Sequence, residues 1–336
     1  MKSVTRNVRD AGQKDFCRTF DSLCGRFSRW EIWSDFVVMS AIAISNTVDH
    51  TNAKVREKTY KKIASKYKTA ALERFAEMLA AVVTGMDNNP DQDFLGELYM
   101  SLELGNDHAG QFFTPYSVGR CMAEITGTDL KARIERDGWV SVNDPACGAG
   151  ALLVALANDC RRQGINYQTS VLFTAQDIDY TAGLMCYLQL SLLGCPGYVT
   201  IANTLTHPQT CLDRRGLIPR PGENIWYTPF YFRDVWQYRR IAAQMELLFS
   251  LTEKQDTQVT SKLKTQDEQA AQSPLPLKET KAGQLTLARY VHFDVRASRR
   301  SRKQIQPISS EKIEICLVRF KSISSREHIH YFRKPA

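Results

Sequence analysis

The stretch Asp144-Pro145-Ala146-Cys147-Gly148-Ala149-Gly150 constrains this chain more than any other. A short apolar segment, Trp139-Val140-Ser141-Val142, runs into it, and Ala151-Leu152-Leu153-Val154-Ala155-Leu156-Ala157 follows as a packed helix. A strand, an acidic turn with two glycines and then a helix is the layout that sets a ligand over the carboxyl end of a parallel strand. Gly148 and Gly150 allow the backbone to come close to that ligand, and a helix N-terminus favours a carboxylate. The spacing is not G-x-G-x-x-G, so it does not indicate a nicotinamide site.

The pattern repeats downstream. Ser170-Val171-Leu172-Phe173-Thr174-Ala175 reads as a second buried strand, ending at Gln176-Asp177-Ile178-Asp179. An acid at that tip is placed to accept hydrogen bonds from ribose hydroxyls. The plainer role, a helix N-cap, suits Asp179 better than Asp177. Tyr180 to Leu193 is the next helix, stopped by Gly194 and Pro196. Tyr198-Val199-Thr200-Ile201-Ala202 is a third strand, leading into Asn203-Thr204-Leu205. Three strands with two crossover helices make the first half of a doubly wound sheet.

Residues 15 to 84 read as helical: Phe16, Phe20 and Leu23 recur at helical spacing, as do Tyr60, Ile63 and Tyr67. Lysine-rich 54–68 is a surface helix with one buried face, with a DNA-facing role as the rarer alternative. Asp87 to Asp93 is a turn-rich break. Gly110-Gln111-Phe112-Phe113-Thr114-Pro115 then introduces a helix from Tyr116 to Ile125, with Pro115 at its first turn. Beyond Asn203 the alternation fades. Residues 207–222 are loop, 224–232 are dense in aromatics, and 234–251 form a helix with Val235, Tyr238, Ile241, Met245 and Leu248 on one side. Residues 252–284 are polar and read as a disordered linker. Residues 285–336 hold short alternating stretches that could form a small β unit. The expected division is thus a helical region over 1–109, an α/β domain over 110–251, the linker and a basic C-terminal segment.

That basic segment holds the whole charge imbalance. Of 44 Lys+Arg and 36 Asp+Glu, 17 and 9 lie from Thr252 onward, so the rest of the chain is neutral. Such a segment is either a nucleic-acid surface or a solvated tail. Nine cysteines without a C-x-x-C pair write neither a zinc knuckle nor a redox motif. Met1 to Lys14 is polar and charged, unlike a signal peptide, and the longest apolar run, Phe36 to Ile44, is too short to span a bilayer. The expectation is a soluble protein of a reducing compartment, the cytoplasm.

Four of these stretches, in order, resemble a known family, the N6-adenine DNA methyltransferases, specifically the methylation subunits of type I restriction–modification systems. Gly110 to Pro115 resembles that family's G-Q-F/Y-F/Y-T-P motif, and Asp144 to Gly150 its D-P-A-C-G-x-G loop. Gln176 to Asp179 is similar to its Q-E-x-D tip, and Asn203 to Leu205 to its G-D-T/S-L. The resemblance implies a Rossmann-like, S-adenosylmethionine-dependent methyltransferase sheet, doubly wound, preceded by helices and truncated after the third or fourth strand. It also implies a DNA substrate, methyl transfer to adenine N6, and a specificity subunit or other restriction–modification partner.

By matching position, Phe112, Phe113 and Thr114 with Asp144, Pro145, Ala146, Cys147, Gly148 and Gly150 would hold the methionine half of S-adenosyl-L-methionine. Asp177 would take the ribose, and Asn203, where the family usually has Asp, the adenine edge. The family transfers the methyl group with an Asn/Asp-Pro-Pro-aromatic turn, which localises the amine lone pair and stacks on the flipped base. This sequence has no Pro-Pro dipeptide. The nearest candidate is Thr228-Pro229-Phe230; its alternative role is to cover the edge of a shortened sheet. A catalytically impaired cofactor- or DNA-binding module is therefore the second reading. Gly283-Gln284-Leu285-Thr286-Leu287 is similar to the peptide that docks bacterial DNA enzymes on the sliding clamp, but Ala288 stands where that peptide has an aromatic.

Overall fold

The computed structural model describes residues 11–104, 113–222 and 224–249. The chain parts into one unit of Met1–Ala243 with Ile305–Ala336 and another of Gln244–Gln304. In the second, only 244–249 are described, and they are helical. The linker, the C-terminal segment, the clamp-like peptide and Gly110 to Phe112 lie outside the described residues.

Among the described residues, five helices come first: α1 (Ala11–Leu23), α2 (Arg29–Ser45), α3 (Ala53–Ala64), α4 (Thr69–Asn88) and α5 (Phe94–Ser101). Helix α2 starts where the Ser28 side chain accepts from the Glu31 N–H. From Phe36 to Ser45 it is apolar or small all round, and every one of those residues is buried. A helix without a polar face belongs in the centre of a fold. Its aromatic neighbours Phe16, Phe20, Trp33, Phe36 and Phe75 pack edge-on or stacked along α1, α2 and α4.

The α/β part follows: α6 (Tyr116–Thr126), α7 (Leu130–Asp137), β1 (Val140–Asp144), α8 (Ala151–Arg162), α9 (Tyr167–Ser170), β2 (Val171–Asp177), α10 (Tyr180–Leu193), β3 (Gly197–Ile201) and β4 (Ile225–Tyr227). A 3₁₀ turn, Pro229–Phe232, leads into α11, residues 234–249. Helix α10 is buried from Thr181 to Leu193 and packs against α2, so the helices and the sheet share one hydrophobic core. Arg56 on α3 adds a polar tie. Its guanidinium lies 4.0 Å over the Trp226 ring, pairs with Asp49 at 2.6 Å and donates to the Ile225 carbonyl at 2.7 Å.

The sheet runs β1-β2-β3-β4. Strands β1, β2 and β3 are parallel, and β4 is antiparallel to β3 with Tyr227 opposite Tyr198. Among the described residues this is one half of a doubly wound sheet with an added antiparallel strand, the Rossmann-like arrangement expected from the sequence. Alternate residues face opposite sides. Val140, Phe173, Ala175, Val199 and Ile201 join the core under α8 and α10. Leu172, Tyr198 and Ile225 meet Trp139, Leu217 and Trp236 on the other face.

Helix α11 departs from expectation. Tyr238 is 70% exposed and Ile241 43%. The inward side carries Trp236, fully buried edge-on to Trp139 and donating to the Gln168 carbonyl, with Ala243 and, from the expected stripe, Val235 partly buried beside that cluster. Indole burial with its N–H satisfied outweighs the more numerous aliphatics of the other stripe.

Candidate cofactor site

The Asp144–Gly150 loop lies at the carboxyl tip of β1 and is shaped by its own backbone. Gly148 and Gly150 adopt φ of +51° and +97°. A side-chain carbon at Gly150 would come within 2.8 Å of the Cys186 sulfur, and one at Gly148 within 3.0 Å of the Phe113 ring. The left-handed turns and the close packing both select glycine. Cys147 donates its backbone N–H to the Gln176 carbonyl at 3.0 Å, pinning the loop to β2. The Cys147 thiol is held protonated by its hydrogen bond with Cys186 and by burial.

Asp177 closes the loop from the next strand. One carboxylate oxygen accepts from the Gly148 N–H at 2.7 Å and the other from the Asp179 N–H at 2.8 Å. Each oxygen keeps a second lone pair, so the carboxylate can still accept from a diol. Asp179 caps α10, accepting from the Ala182 N–H at 2.7 Å. The tip of β3 joins the same group, because Thr204 donates to the Pro145 carbonyl. Asn203 is half-buried, and its side-chain oxygen accepts from the N–H groups of Leu205 and Thr206. Ile178 and Leu205, on the two neighbouring turns, are 68% and 92% exposed.

Asp144 carries an unmet demand. One oxygen accepts from the Ala146 N–H at 3.1 Å, while Oδ2 is buried without a partner among the described residues. Burial pushes its carboxyl above the ordinary range, with a further push from the nearby Asp177. A buried carboxylate oxygen lacking a donor is costly unless a ligand supplies one.

Sequence reasoning missed the support beneath the loop. Gln189, fully buried in α10, donates to the Ala149 carbonyl at 2.8 Å and to Asp93 at 2.7 Å, and accepts from the Leu95 N–H. Asp93 also caps α5 through the Gly96 N–H. A glutamine inside the run Leu184 to Leu193, which is otherwise apolar but for Ser191 and the Tyr187 hydroxyl, was the available signal. Beside Phe113 and Thr114 opens a cavity of about 900 Å³, lined also by Asp91, Asp93, Glu97 and Arg120 but not by Asp144, Cys147 or Asp177. It flanks the strand tips rather than covering them.

Of the residues singled out, the structure gathers Phe113, Asp144 to Gly150, Asp177 and Asn203; Phe112 is outside the described residues. Thr114 is exposed and lines the flanking cavity. Thr228, Pro229 and Phe230, the nearest candidate for a methyl-transfer turn, do not join them. Because β4 runs antiparallel, Thr228 emerges beside Gly197, at the starting end of β3. It is fully buried there, accepting from the Gly197 N–H at 3.0 Å and donating to the Cys195 carbonyl at 2.7 Å. Phe230 is buried under Arg233.

Parallel strands with a left-handed glycine loop at the first tip and a carboxylate at the second define a Rossmann-like nucleoside-cofactor fold. Residues 91–258, half of the chain, match the family described as N-6 DNA Methylase, and the chain belongs to that family. Among solved structures, it is similar to a Listeria monocytogenes protein described as a class I S-adenosylmethionine-dependent methyltransferase. The two share 16% identity over 60% of this chain, with a TM-score of 0.32, a likeness too slight to add to the topology. The chain spans just over half of that protein, 56%. No curated protein matches it. The cofactor that goes with the family is S-adenosyl-L-methionine, and the Asp144 oxygen left without a partner among the described residues, beside two left-handed glycines, fits a group that brings an ammonium. No described helix is long and apolar enough to cross a membrane, and no described cluster of His, Cys, Asp and Glu could hold a metal ion.

Proposed function

We propose that this chain binds S-adenosyl-L-methionine across the tips of β1, β2 and β3 and serves methylation of adenine N6 in DNA. The observation that carries this is the buried Oδ2 of Asp144, which has no donor among the described residues and sits at the foot of the glycine loop. In this reading Asp144 takes the amino group of the methionine half. Phe112, Phe113 and Thr114 with the loop from Pro145 to Gly150 enclose that half, Asp177 accepts from the ribose hydroxyls, and Asn203 meets the adenine edge. When bound, the cofactor supplies an electrophilic methyl group. The protein holds it in one orientation, and its ammonium favours the charged form of Asp144 that burial otherwise opposes.

A second reading is favoured by the position of Thr228 to Phe230: the chain holds the cofactor and transfers nothing alone. A chain without a Pro-Pro turn needs another group to accept the hydrogens of the adenine amine. DNA is the proposed substrate and a specificity subunit the proposed partner, with the basic excess after Thr252 as the DNA-facing charge. Cytoplasmic location accords with such a substrate. Calorimetry with S-adenosyl-L-homocysteine tests the site, and transfer of labelled methyl to duplex DNA tests the reaction. Binding together with transfer supports the enzyme, and binding without transfer supports the second reading. Absence of binding rejects both.

A further inference from the structure

We infer that Asn203 reads the cofactor base as a hydrogen-bond donor, so that the site does not select for the amino group at C6 of the purine. The inference rests on the cofactor reading above and adds to it the polarity of one contact.

Asn203 sits at the tip of β3, one strand beyond the Asp177 carboxylate, which is where the base of a nucleoside held at Asp177 by its ribose would extend. The exposed side chains of Ile178 and Leu205 offer apolar surface on the two turns there. Two backbone N–H groups point at the same atom of the Asn203 side chain, from Leu205 at 2.9 Å and from Thr206 at 3.3 Å. An amide nitrogen cannot accept, so that atom is the oxygen and the orientation of the amide is fixed. The Asn203 carbonyl accepts from the His207 N–H at 2.7 Å, which makes the turn rigid. What remains for a ligand is Nδ2, with two N–H groups and no lone pair. A donor can meet the ring nitrogen N1 of adenine or the carbonyl oxygen of a 6-oxopurine. It cannot accept from the adenine amine. An Asp at 203 would keep one oxygen on the turn and present the other as an acceptor, which pairs with the amine and repels a carbonyl oxygen.

The test titrates the full chain with S-adenosyl-L-homocysteine and with S-inosyl-L-homocysteine, its 6-oxopurine counterpart. The parent should bind the two with affinities within about threefold. Asn203→Asp should favour the adenine form by roughly tenfold or more, the scale of one charge-assisted hydrogen bond. Asn203→Ser, whose hydroxyl can still accept from the turn, should lose affinity for both ligands without a change in melting temperature. A parent that prefers the adenine form more than about tenfold, with Asn203→Asp leaving that ratio unchanged, overturns the inference. So does an Asn203→Ser variant that binds both as tightly as the parent. A parent that binds neither ligand rejects the cofactor reading itself, and this inference with it.

Discussion

Removing the charge from Asp93 should change how the stability of this protein depends on pH. Asp93 is 2% exposed, and burial pushes its carboxyl up to about 6, against bonds from Gln189 and the Gly96 N–H that pull it down. An acid whose folded value lies above its unfolded one binds more protons in the folded state between the two. Its contribution is therefore fully present below the unfolded value near 4 and is lost as pH rises through about 6. A rise of about two pH units corresponds to about 3 kcal/mol. The neutral variant Asp93→Asn keeps an oxygen for Gln189 and Gly96 but has no proton to lose. Urea unfolding at steps from about pH 4 to pH 7 should show the parent falling by about 3 kcal/mol relative to the variant, with equal m-values. Other titrating groups cancel in that difference. A difference that stays constant across the range would refute the buried-acid argument. Gln189 links Asp93 to the Ala149 carbonyl, so cofactor affinity measured at the same pH steps should follow the same curve.

Three further outcomes follow from the site. Gly148→Val places a β-branched residue at φ +51° against the Phe113 ring, and calorimetry should find cofactor binding abolished; binding at parental affinity would show that the loop is not the cradle. Asp177→Ala removes the acceptor for the Gly148 and Asp179 N–H groups as well as for the ribose. Affinity should fall by on the order of 1.5–3 kcal/mol, and an unchanged Kd would move the ribose contact elsewhere. Thr228→Val should leave cofactor affinity alone and lower unfolding stability by about 1–3 kcal/mol, because the Gly197 N–H loses its partner in the interior. A loss of affinity with stability intact would return Thr228 to the site.

Local chemistry alone made much of this protein readable. A loop such as Asp144 to Gly150 declares itself because only glycine takes positive φ beside packed neighbours, and buried parallel strands must be continuous apolar runs. That is why β1, β2, β3, their helices and the carboxylate at Asp177 were legible from residue order. The direction of β4 was not. A three-residue aromatic strand pairs equally well either way in sequence, and only its contacts with Gly197 and Arg56 carry Thr228 to the far end of the sheet. The clamp of Gln189 on Ala149 and Asp93 was equally hidden, since it joins residues 40 and 96 positions apart. The inward face of α11 was decided by one indole that found both a pocket and an acceptor. Residue order thus determined which segments form the half-sheet and where its ligand loop lies. Tertiary packing decided which side chains meet there, because contacts between distant segments depend on a chain path that no local pattern encodes.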